Sequence, residues 1–341
     1  MGRPESGGAA HRLLWAVTGT AVLMGGAVMA TAYGGAHGGG GGGEGRRAGP
    51  AASVTTPAPS LPPSPPLEEV MAEPAPASPT PEALPTTVDL AAALASVAAG
   101  ADGGLSVAVR DAGSGASAVY GEDLFDTASI VKVDILAALL LRAQDAGREL
   151  TALEKSRAAT MIKNSDNAAA LALWHSIGRA PGLEAANERL GLTGTQGGHD
   201  DYWGLTRTTA ADQLALLDAV FSDDSALTAT SRAYVADLME HIAAGQDWGV
   251  SAAADDAPSG SGETALKNGW LPRTATGLWV INSIGRVDAD GRTYLVAVLS
   301  DGNRTKEGGI TTVESAARAA VEAVAAAAGG SGSAAPTVPF D

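Results

Sequence analysis

The sequence predicts an α+β sandwich in which a five-stranded antiparallel sheet is flanked by terminal helices and carries an inserted all-helical lobe. Strand-like segments stand near both ends of the region that can fold, and successive helical patterns fill its middle. Gly- and Asp-containing turns separate the strands, as expected for antiparallel hairpins. A sheet assembled from both ends of a chain, with helices between them, gives a two-lobed domain.

The five strands are short apolar runs rich in β-branched residues, which favour strands. The first two are joined by a turn at residues 112–115, while Asp290-Gly291 and Asp301-Gly302 give turn signals on either side of the last one. The predicted strands are Leu105–Asp111, Ala116–Tyr120, Thr264–Trp270, Gly277–Val287 and Thr293–Ser300.

The helices are predicted from apolar residues that recur with a helical period. The first covers Thr87–Ala99, with Thr86 or Thr87 as its cap, and the last covers Thr311–Ala327. The helical lobe between the strands is predicted to contain Val131–Ala146, Ala152–Lys163, Asn167–Ile177, Gly182–Leu190, Thr209–Phe221 and Ser231–Ala244.

The N-terminal segment resembles an export signal. Basic residues precede an uncharged, largely apolar stretch from Leu13 to Tyr33, and roughly 20 apolar residues can span a bilayer. The same stretch ends in Ala30-Thr31-Ala32, which suits signal-peptide cleavage. We therefore expect residues 1–33 to be a signal peptide or a membrane anchor, and the protein to be secreted or held at the cell surface.

Residues 34–85 are rich first in Gly and then in Pro, Ala and Ser. Such sequence buries too little apolar surface to offset its chain entropy, so we expect a disordered linker. The folded domain is then predicted at residues 86–328, followed by a flexible tail at residues 329–341.

Composition argues against several function classes. The formal net charge of −16 disfavours a nucleic-acid partner, because phosphate binding needs clustered Lys and Arg. The chain has no cysteine, and its five histidines lack the spacing of metal ligands. We expect no metal or other cofactor, membrane contact only through the N-terminal segment, and a monomer.

Ser129-Ile130-Val131-Lys132 stands where a strongly apolar helix begins. Residues three apart share a helix face, so the Ser129 hydroxyl and the Lys132 amine can meet. A nucleophile at a helix N-terminus gains an oxyanion donor from its own N–H, and a desolvated lysine can act as its base. The alternative is a helix-capping serine and a snorkelling lysine, although among five lysines only Lys132 follows a serine by three positions.

Two further motifs follow in order. Ser165-Asp166-Asn167 lies between two helical segments, where it could relay protons or simply cap a helix. Lys267-Asn268-Gly269 lies at the end of a predicted strand, where the lysine could attract a substrate carboxylate or the three residues could form a turn. Taken alone, the first of these motifs is explained as a helix cap and the second as a turn.

Together the three motifs resemble the ordered S-x-x-K, S-D-N and K-T-G pattern of class A β-lactamases and penicillin-binding proteins. The resemblance covers roughly residues 87–327. It implies a β-lactamase/transpeptidase-like fold with Ser129 as the acylated nucleophile, Lys132 as its base and Ser165 as a proton relay. It also implies substrate contacts from Asn167, Lys267, Asn268, Gly269 and Trp270, whose N–H would be the second oxyanion donor.

The chain departs from the family pattern in several places. Asn268 replaces a hydroxyl residue, Arg273 is a substitute for an arginine that many members carry before the next strand, and the stretch from Ser129 to Ser165 is shorter than usual. Residues 203–209 resemble the end of the family's Ω-loop, yet Asp200 and Asp201 are the only carboxylates between Gly191 and Thr209. Class A enzymes deacylate with a glutamate on that loop.

These observations predict a serine hydrolase that opens β-lactam or related amide bonds through a Ser129 acyl-enzyme. One alternative is a cell-wall D-alanyl peptidase, with peptidoglycan stems as substrates, because its motifs are the same. Another is a non-catalytic cell-surface binding module that keeps the fold, which the missing glutamate and Asn268 would favour.

Overall fold

The computed structural model describes residues 88–255 and 264–330, all of which lie in one compact unit. The predicted signal or anchor at residues 1–33, the predicted linker at residues 34–85 and residues 331–341 of the predicted tail lie outside the described residues. The first two residues of that tail, Gly329 and Gly330, still belong to the last helix. Within the described ranges, no helix combines the length and apolar character that crossing a bilayer requires.

The sheet has the five antiparallel strands that the sequence predicts. The edge strand Ala265–Pro272 carries Lys267, Asn268 and Gly269. A separate two-stranded pair, β3 (Phe125–Asp126) and β4 (Arg207–Thr208), joins the segment before Ser129 to the loop that ends at Thr209. The main sheet has the order β2-β1-β7-β6-β5, from β1 (Leu105–Asp111), β2 (Ser117–Tyr120), β5 (Ala265–Pro272), β6 (Trp279–Ala289) and β7 (Arg292–Asn303).

Two apolar clusters cover the two faces of the sheet. Val107 and Val109 of β1 pack with the first and last helices of the domain, whereas Ala108 packs with the helical lobe. This alternation follows from the two-residue period of a strand. The helices are α1 (Ala91–Gly100), α2 (Val131–Asp145), α3 (Ala152–Lys163), α4 (Asn167–Ile177), α5 (Arg179–Leu190), α6 (Ala210–Phe221), α7 (Ala229–Glu240) and α8 (Lys306–Gly330).

The first helix starts later than predicted. Val88 donates its N–H to the carbonyl of Ser117 in β2, which holds the chain out of helical conformation, and α1 begins at Ala91. Asp89 rather than a threonine supplies the side-chain oxygen, accepting the Ala91 N–H at 2.8 Å. The predicted threonine cap is therefore wrong.

Helices α5, α7 and α8 also differ from their predicted limits. Helix α5 begins at Arg179 and includes Pro181, because proline is tolerated in a first helical turn. Gly182 makes this early start feasible, since a Cβ there would lie 1.7 Å from the carbonyl oxygen of Ile177. Helix α7 begins after the cap Thr228 and ends at Glu240, and α8 is longer at both ends than predicted.

The turn predicted at Asp301-Gly302 is absent, because β7 continues to Asn303. Asn303 donates from its side chain to the Trp279 carbonyl and to the Ser300 hydroxyl, both at 3.1 Å, which keeps the end of the strand in the sheet. Gly302 has a φ of 69°, so this positive φ lies within the strand instead of closing a turn.

A buried polar network links α2 to α6. Gln213 donates from Nε2 to Asp134 Oδ1 at 3.3 Å and to the Thr208 hydroxyl at 3.1 Å. Among the described residues, Asp134 Oδ2 and Gln213 Oε1 have no partner. Burial, with a smaller contribution from Asp212, raises the pKa of Asp134 to about 7. A neutral carboxyl group at Asp134 would supply the donor that these two acceptors lack.

We predict that Asp134→Asn will stabilise the protein relative to wild type as pH rises. The raised pKa means that the folded state binds more protons than the unfolded state between about pH 4 and 7. Wild-type stability therefore falls by on the order of 4 kcal/mol across this window and then levels off, whereas the amide does not titrate. Urea unfolding at pH 4.5 and 7.5 measures the difference.

The matched control for this prediction is Asp134→Leu, which removes the hydrogen bond between Gln213 and Asp134 and should destabilise the protein at both pH values. A wild-type minus Asp134→Asn difference that is the same at pH 4.5 and 7.5 would show that Asp134 does not carry this proton.

Candidate active site

Ser129 lies in a single 3-10 turn, Ala128–Ile130, immediately before α2. Its flanking residues are buried while Ser129 itself is partly exposed. Ala128 has a φ of 48°, a left-handed conformation that costs energy for a residue other than glycine and is common at functional sites. The α-helix itself begins two residues later than Ser129, so the serine precedes the helix instead of opening it.

Two contacts hold this turn from opposite sides. The Thr127 N–H donates to the Thr206 carbonyl at 2.8 Å, which fixes the turn to the Ω-loop-like segment. Asn282 of β6 donates from Nδ2 to the carbonyls of Asp126 and Thr127, at 2.9 and 3.1 Å. The position of Ser129 is therefore set by the sheet and the loop together.

Lys132 brings the first two motifs into contact. Its Nζ lies 3.0 Å from Ser129 Oγ and 3.0 Å from Ser165 Oγ. It also donates to the Ser165 carbonyl at 2.7 Å and to Asn167 Oδ1 at 2.9 Å. The predicted meeting of Ser129 and Lys132 on one face is thus present in the structure, with the second motif completing the amine's surroundings.

The surroundings of Lys132 favour a neutral amine. The side chain is fully buried, and its hydrogen-bond acceptors are hydroxyl, amide and carbonyl oxygens that carry no net charge. Burial lowers the pKa of Lys132 to about 7, and the charge of Asp166 opposes this effect only in part. A large fraction of Lys132 is therefore uncharged at neutral pH.

Ser165 links the two lysines of the site. It stands between α3 and α4 with a φ of 54°, and the next residue, Asp166, caps α4 by accepting the Ala169 N–H. The Ser165 hydroxyl is 3.0 Å from Lys132 Nζ and 3.2 Å from Lys267 Nζ. A proton can therefore pass between the two amines through a single hydroxyl group.

Lys267 is the second buried amine, and it lies on the edge strand β5. It donates to the Asn268 carbonyl at 2.9 Å as well as to Ser165. Burial, and then the charge of Lys132, lower the pKa of Lys267 to about 7. Because each charge disfavours the other, the pair holds fewer than two protons over much of the neutral range.

Gly269 brings β5 against the serine turn. A Cβ at this position would lie 2.8 Å from the Ser129 nitrogen and 2.7 Å from the Thr127 carbonyl oxygen. The resemblance implied a substrate contact at this glycine. The structure gives it a more immediate reason, because the protein's own backbone occupies that space.

Asn268 does not take the predicted place toward substrate. Its side chain is buried, and its Nδ2 donates to the carbonyls of Gln246 and Trp248, both at 2.8 Å. Strand alternation explains this difference, because neighbouring residues of β5 point to opposite faces of the sheet. Lys267 points to the face toward the helical lobe, so Asn268 points to the other face. Asn268 instead fixes the loop before the 3-10 turn at Val250–Ala253.

Trp270 follows Asn268 on that same face. Its ring packs against Trp248, with centroids 6.0 Å apart, and Lys306 lies over it at 4.4 Å. Its proposed role uses only the backbone N–H, and this role stays a prediction. Arg273, further along, pairs with Asp126 at 2.6 Å.

The loop carboxylates do not approach Ser129. Asp201 accepts hydrogen bonds from His175 at 2.6 Å and from Arg179 at 3.1 Å, and these contacts lower its pKa. Asp200 is exposed and contacts only His199 through its side chain. Glu184 and Glu188 are exposed on α5. Among the described residues, no carboxylate hydrogen-bonds to Ser129, Lys132, Ser165 or Lys267.

Trp203 is the site residue that the sequence reasoning missed. Lys132 Nζ lies 4.8 Å from the centroid of its ring. The sequence had placed Trp203 only within the Ω-loop-like segment, since nothing in a single tryptophan shows that it will face a particular lysine. Among the described residues, no group of three or more His, Asp or Glu could hold a metal ion.

Comparison with known proteins agrees with this architecture. The sequence model of the Beta-lactamase enzyme family matches residues 155–324. No curated protein matches the chain. The family match and the shared fold identify the chain as β-lactamase-like.

Solved structures with this fold include a class A β-lactamase from Mycobacterium abscessus, which is 22% identical with a TM-score of 0.59 and covers 69% of this chain and 99% of its own. PBP-A is 20% identical with a TM-score of 0.60 and covers 72% of this chain and 100% of its own. A β-lactamase from Xanthomonas campestris is 22% identical with a TM-score of 0.57, and the match covers 69% of this chain and 97% of that one. At these identities the likeness shows the fold.

We predict that Gly269→Ala will lower the free energy of unfolding by about 1–3 kcal/mol, because the new methyl group overlaps the backbone of the serine turn. Thermal unfolding measures this loss. Gly100→Ala is the matched control, since nothing lies within 4 Å of a Cβ at that position. Equal melting temperatures for the two variants would mean that β5 does not press on the turn.

Proposed function

We propose that the protein is a serine hydrolase that opens β-lactam or related amide bonds through an ester on Ser129. The observation that carries this proposal is the placement of Lys132 Nζ, 3.0 Å from Ser129 Oγ and 3.0 Å from Ser165 Oγ, in a buried position. This arrangement joins a nucleophile, a base and a proton relay in one hydrogen-bonded chain.

Acylation would begin with neutral Lys132. Its lone pair accepts the Ser129 hydroxyl proton while Oγ attacks the amide carbonyl carbon, which gives a tetrahedral oxyanion and a lysine ammonium. The proton then passes from Lys132 through Ser165 to the amide nitrogen. The C–N bond breaks, the carbonyl forms again, and an ester on Ser129 and a free amine remain.

Lys267 would favour an anionic substrate. A carboxylate near its ammonium offsets the cost of burying that charge, so bound substrate raises the pKa of Lys267. A charged Lys267 disfavours a charge on Lys132, which keeps the base neutral for attack on the substrate. Binding and activation of the base are thus coupled through one pair of amines.

The oxyanion would be held by backbone N–H groups. The Ser129 N–H is the first candidate, and Trp270 on β5 supplies the second. The close approach of Gly269 to the Ser129 nitrogen supports this assignment, because it brings the edge strand beside the serine turn.

Hydrolysis of the ester needs a base that holds a water molecule against the carbonyl. Asp200 and Asp201 are turned to the surface and to His175 and Arg179. The geometry therefore favours fast acylation with slow release over efficient turnover. PBP-A, one of the solved neighbours, has a mutant whose structure is an acyl-enzyme complex with penicillin G.

A cell-wall peptidase acting on D-alanyl stems would use the same groups, and slow release of a β-lactam favours this second candidate. A binding module without turnover has no need for a buried lysine between two serine hydroxyls. We further propose export to the cell surface, based on the apolar N-terminal segment of the sequence.

We predict that Ser129→Ala will abolish covalent labelling by a fluorescent penicillin. Lys132→Ala should slow labelling by about 10²–10⁴-fold, the usual contribution of a general base. Lys132→Arg is the matched control, because it keeps a charge in place of the amine yet cannot accept a proton at neutral pH. Full labelling of Ser129→Ala would remove Ser129 from the mechanism, and full labelling of Lys132→Arg would remove the base.

We predict that a simple penicillin will leave a persistent adduct on the wild-type protein. Intact mass, followed over time after mixing, should show the mass of protein plus intact penicillin decaying far more slowly than it forms. Rapid multiple turnover with no detectable adduct would contradict slow release. It would also call for a deacylating base that the described contacts do not include.

A further inference from the structure

The indole of Trp203 is the aromatic group that the structure places against Lys132. The ring belongs to a short 3-10 turn, Trp203–Leu205, that packs on the serine turn, and the ammonium stands 4.8 Å from its centroid. The other described groups around Nζ are hydroxyl, amide and carbonyl oxygens. The ring thus adds a π-face to an otherwise oxygen-lined site.

The loop holds the ring in place through contacts on both sides of it. Trp174 donates from Nε1 to the Asp200 carbonyl at 2.8 Å, and Asp201 is bound by His175 and Arg179. After the ring, the Thr206 carbonyl accepts the Thr127 N–H next to the serine turn. Trp203 is therefore fixed to α4 on one side and to the nucleophile's backbone on the other.

The charged groups that face Lys132 come from two other elements. Asp166, at the start of α4, favours the ammonium, and Lys267 of β5 disfavours it. Asp134, on the same helix, is directed to Gln213 of α6. From the loop, the contact with Lys132 is the neutral ring of Trp203, whose negative π-face favours a cation.

We propose that Trp203 is a positioning residue that stabilises the ammonium formed on Lys132 when Ser129 is deprotonated. The inference rests on the proposed function, and it assigns to the loop a role in acylation. It also supplies a reason why this loop carries an aromatic ring beside the base, where a deacylating enzyme would need a carboxylate and a water molecule.

The effect is selective for the transition state. Neutral Lys132 gains little from the ring, whereas the ammonium gains a cation–π contact. During attack the amine takes the Ser129 proton, so the stabilisation grows as the reaction proceeds. An interaction that is stronger in the transition state than in the ground state raises the rate of the chemical step.

This reasoning predicts a distinctive pH profile. Above the pKa of Lys132, loss of the ring slows acylation, because the transition state loses a contact that the neutral ground state lacks. Below the pKa, the ground state is also an ammonium and loses the same contact. On the acidic limb, the observed rate is the plateau rate multiplied by the neutral fraction of Lys132. Loss of the ring lowers the plateau rate and raises the neutral fraction by the same factor, so the rates on this limb stay unchanged.

The test is Trp203→Leu, which keeps apolar cover over Lys132 and removes the ring. For a desolvated cation–π contact, we expect the acylation plateau to fall by about 5- to 30-fold and the pKa of Lys132 to fall by about one unit. Penicillin labelling between pH 5 and 9 measures the rate. Lysine labelled with ¹³C at Cε measures the pKa directly, because the chain has only five lysines and Lys132→Arg assigns the signal.

Two control variants accompany this test. Trp203→Phe keeps a weaker aromatic face and should give intermediate values. Tyr202→Leu removes the neighbouring exposed aromatic ring, which contacts His199 at a tilted angle, and should leave the pKa of Lys132 at its wild-type value.

An unchanged pKa of Lys132 in Trp203→Leu would overturn the inference. An equal fall of the acylation rate on the acidic limb and on the plateau would also overturn it, because a general loss of packing lowers the rate at every pH. The NMR titration also separates the two proposals. If no probe acylates the wild type but the midpoint moves, the proposed function fails and the Lys132–Trp203 pairing stands.

Discussion

The burial of one amine, Lys132, is the constraint on which the rest of the site depends. A buried ammonium with uncharged neighbours is expensive, so the protein keeps much of this lysine neutral and ties it to three side chains and one carbonyl. Those partners come from the serine turn and from the junction of α3 and α4. The burial that makes the Lys132 ammonium costly also leaves a neutral amine that can accept a proton, as the proposed function requires. The second buried amine, Lys267, disfavours the ammonium further.

The fold brings three elements close to the turn that carries Ser129, as the proposed chemistry requires. Gly269 lets the edge strand reach the backbone of Ser129, and Asn282 holds the serine turn from the next strand. The loop before α6 closes the third side with Thr206 and Trp203. Each of these contacts joins elements far apart in sequence, so the position of Ser129 depends on the packing of both lobes.

Much of this architecture could be predicted from the sequence, because alternating and helical periods dominate the strands, α3 and α4. The pairing of Ser129 with Lys132 followed from their spacing alone. Positions that depend on long-range contacts could not be predicted. Asn268 turns away because strand alternation gives Lys267 the inner face, Val88 delays α1 through a bond to β2, and Trp203 meets Lys132 only after the loop has folded back.

The central claim is that Ser129 is the nucleophile that becomes acylated and that the neutral form of Lys132 activates it as a base. The most direct measurement is the pH dependence of wild-type acylation by a fluorescent penicillin, with the labelled peptide located by mass spectrometry. The account predicts an ester on Ser129 that forms faster as pH rises and reaches a plateau just above the lysine pKa of about 7. A label on another residue, or a rate that keeps rising to pH 10 as for an ordinary lysine, would contradict it.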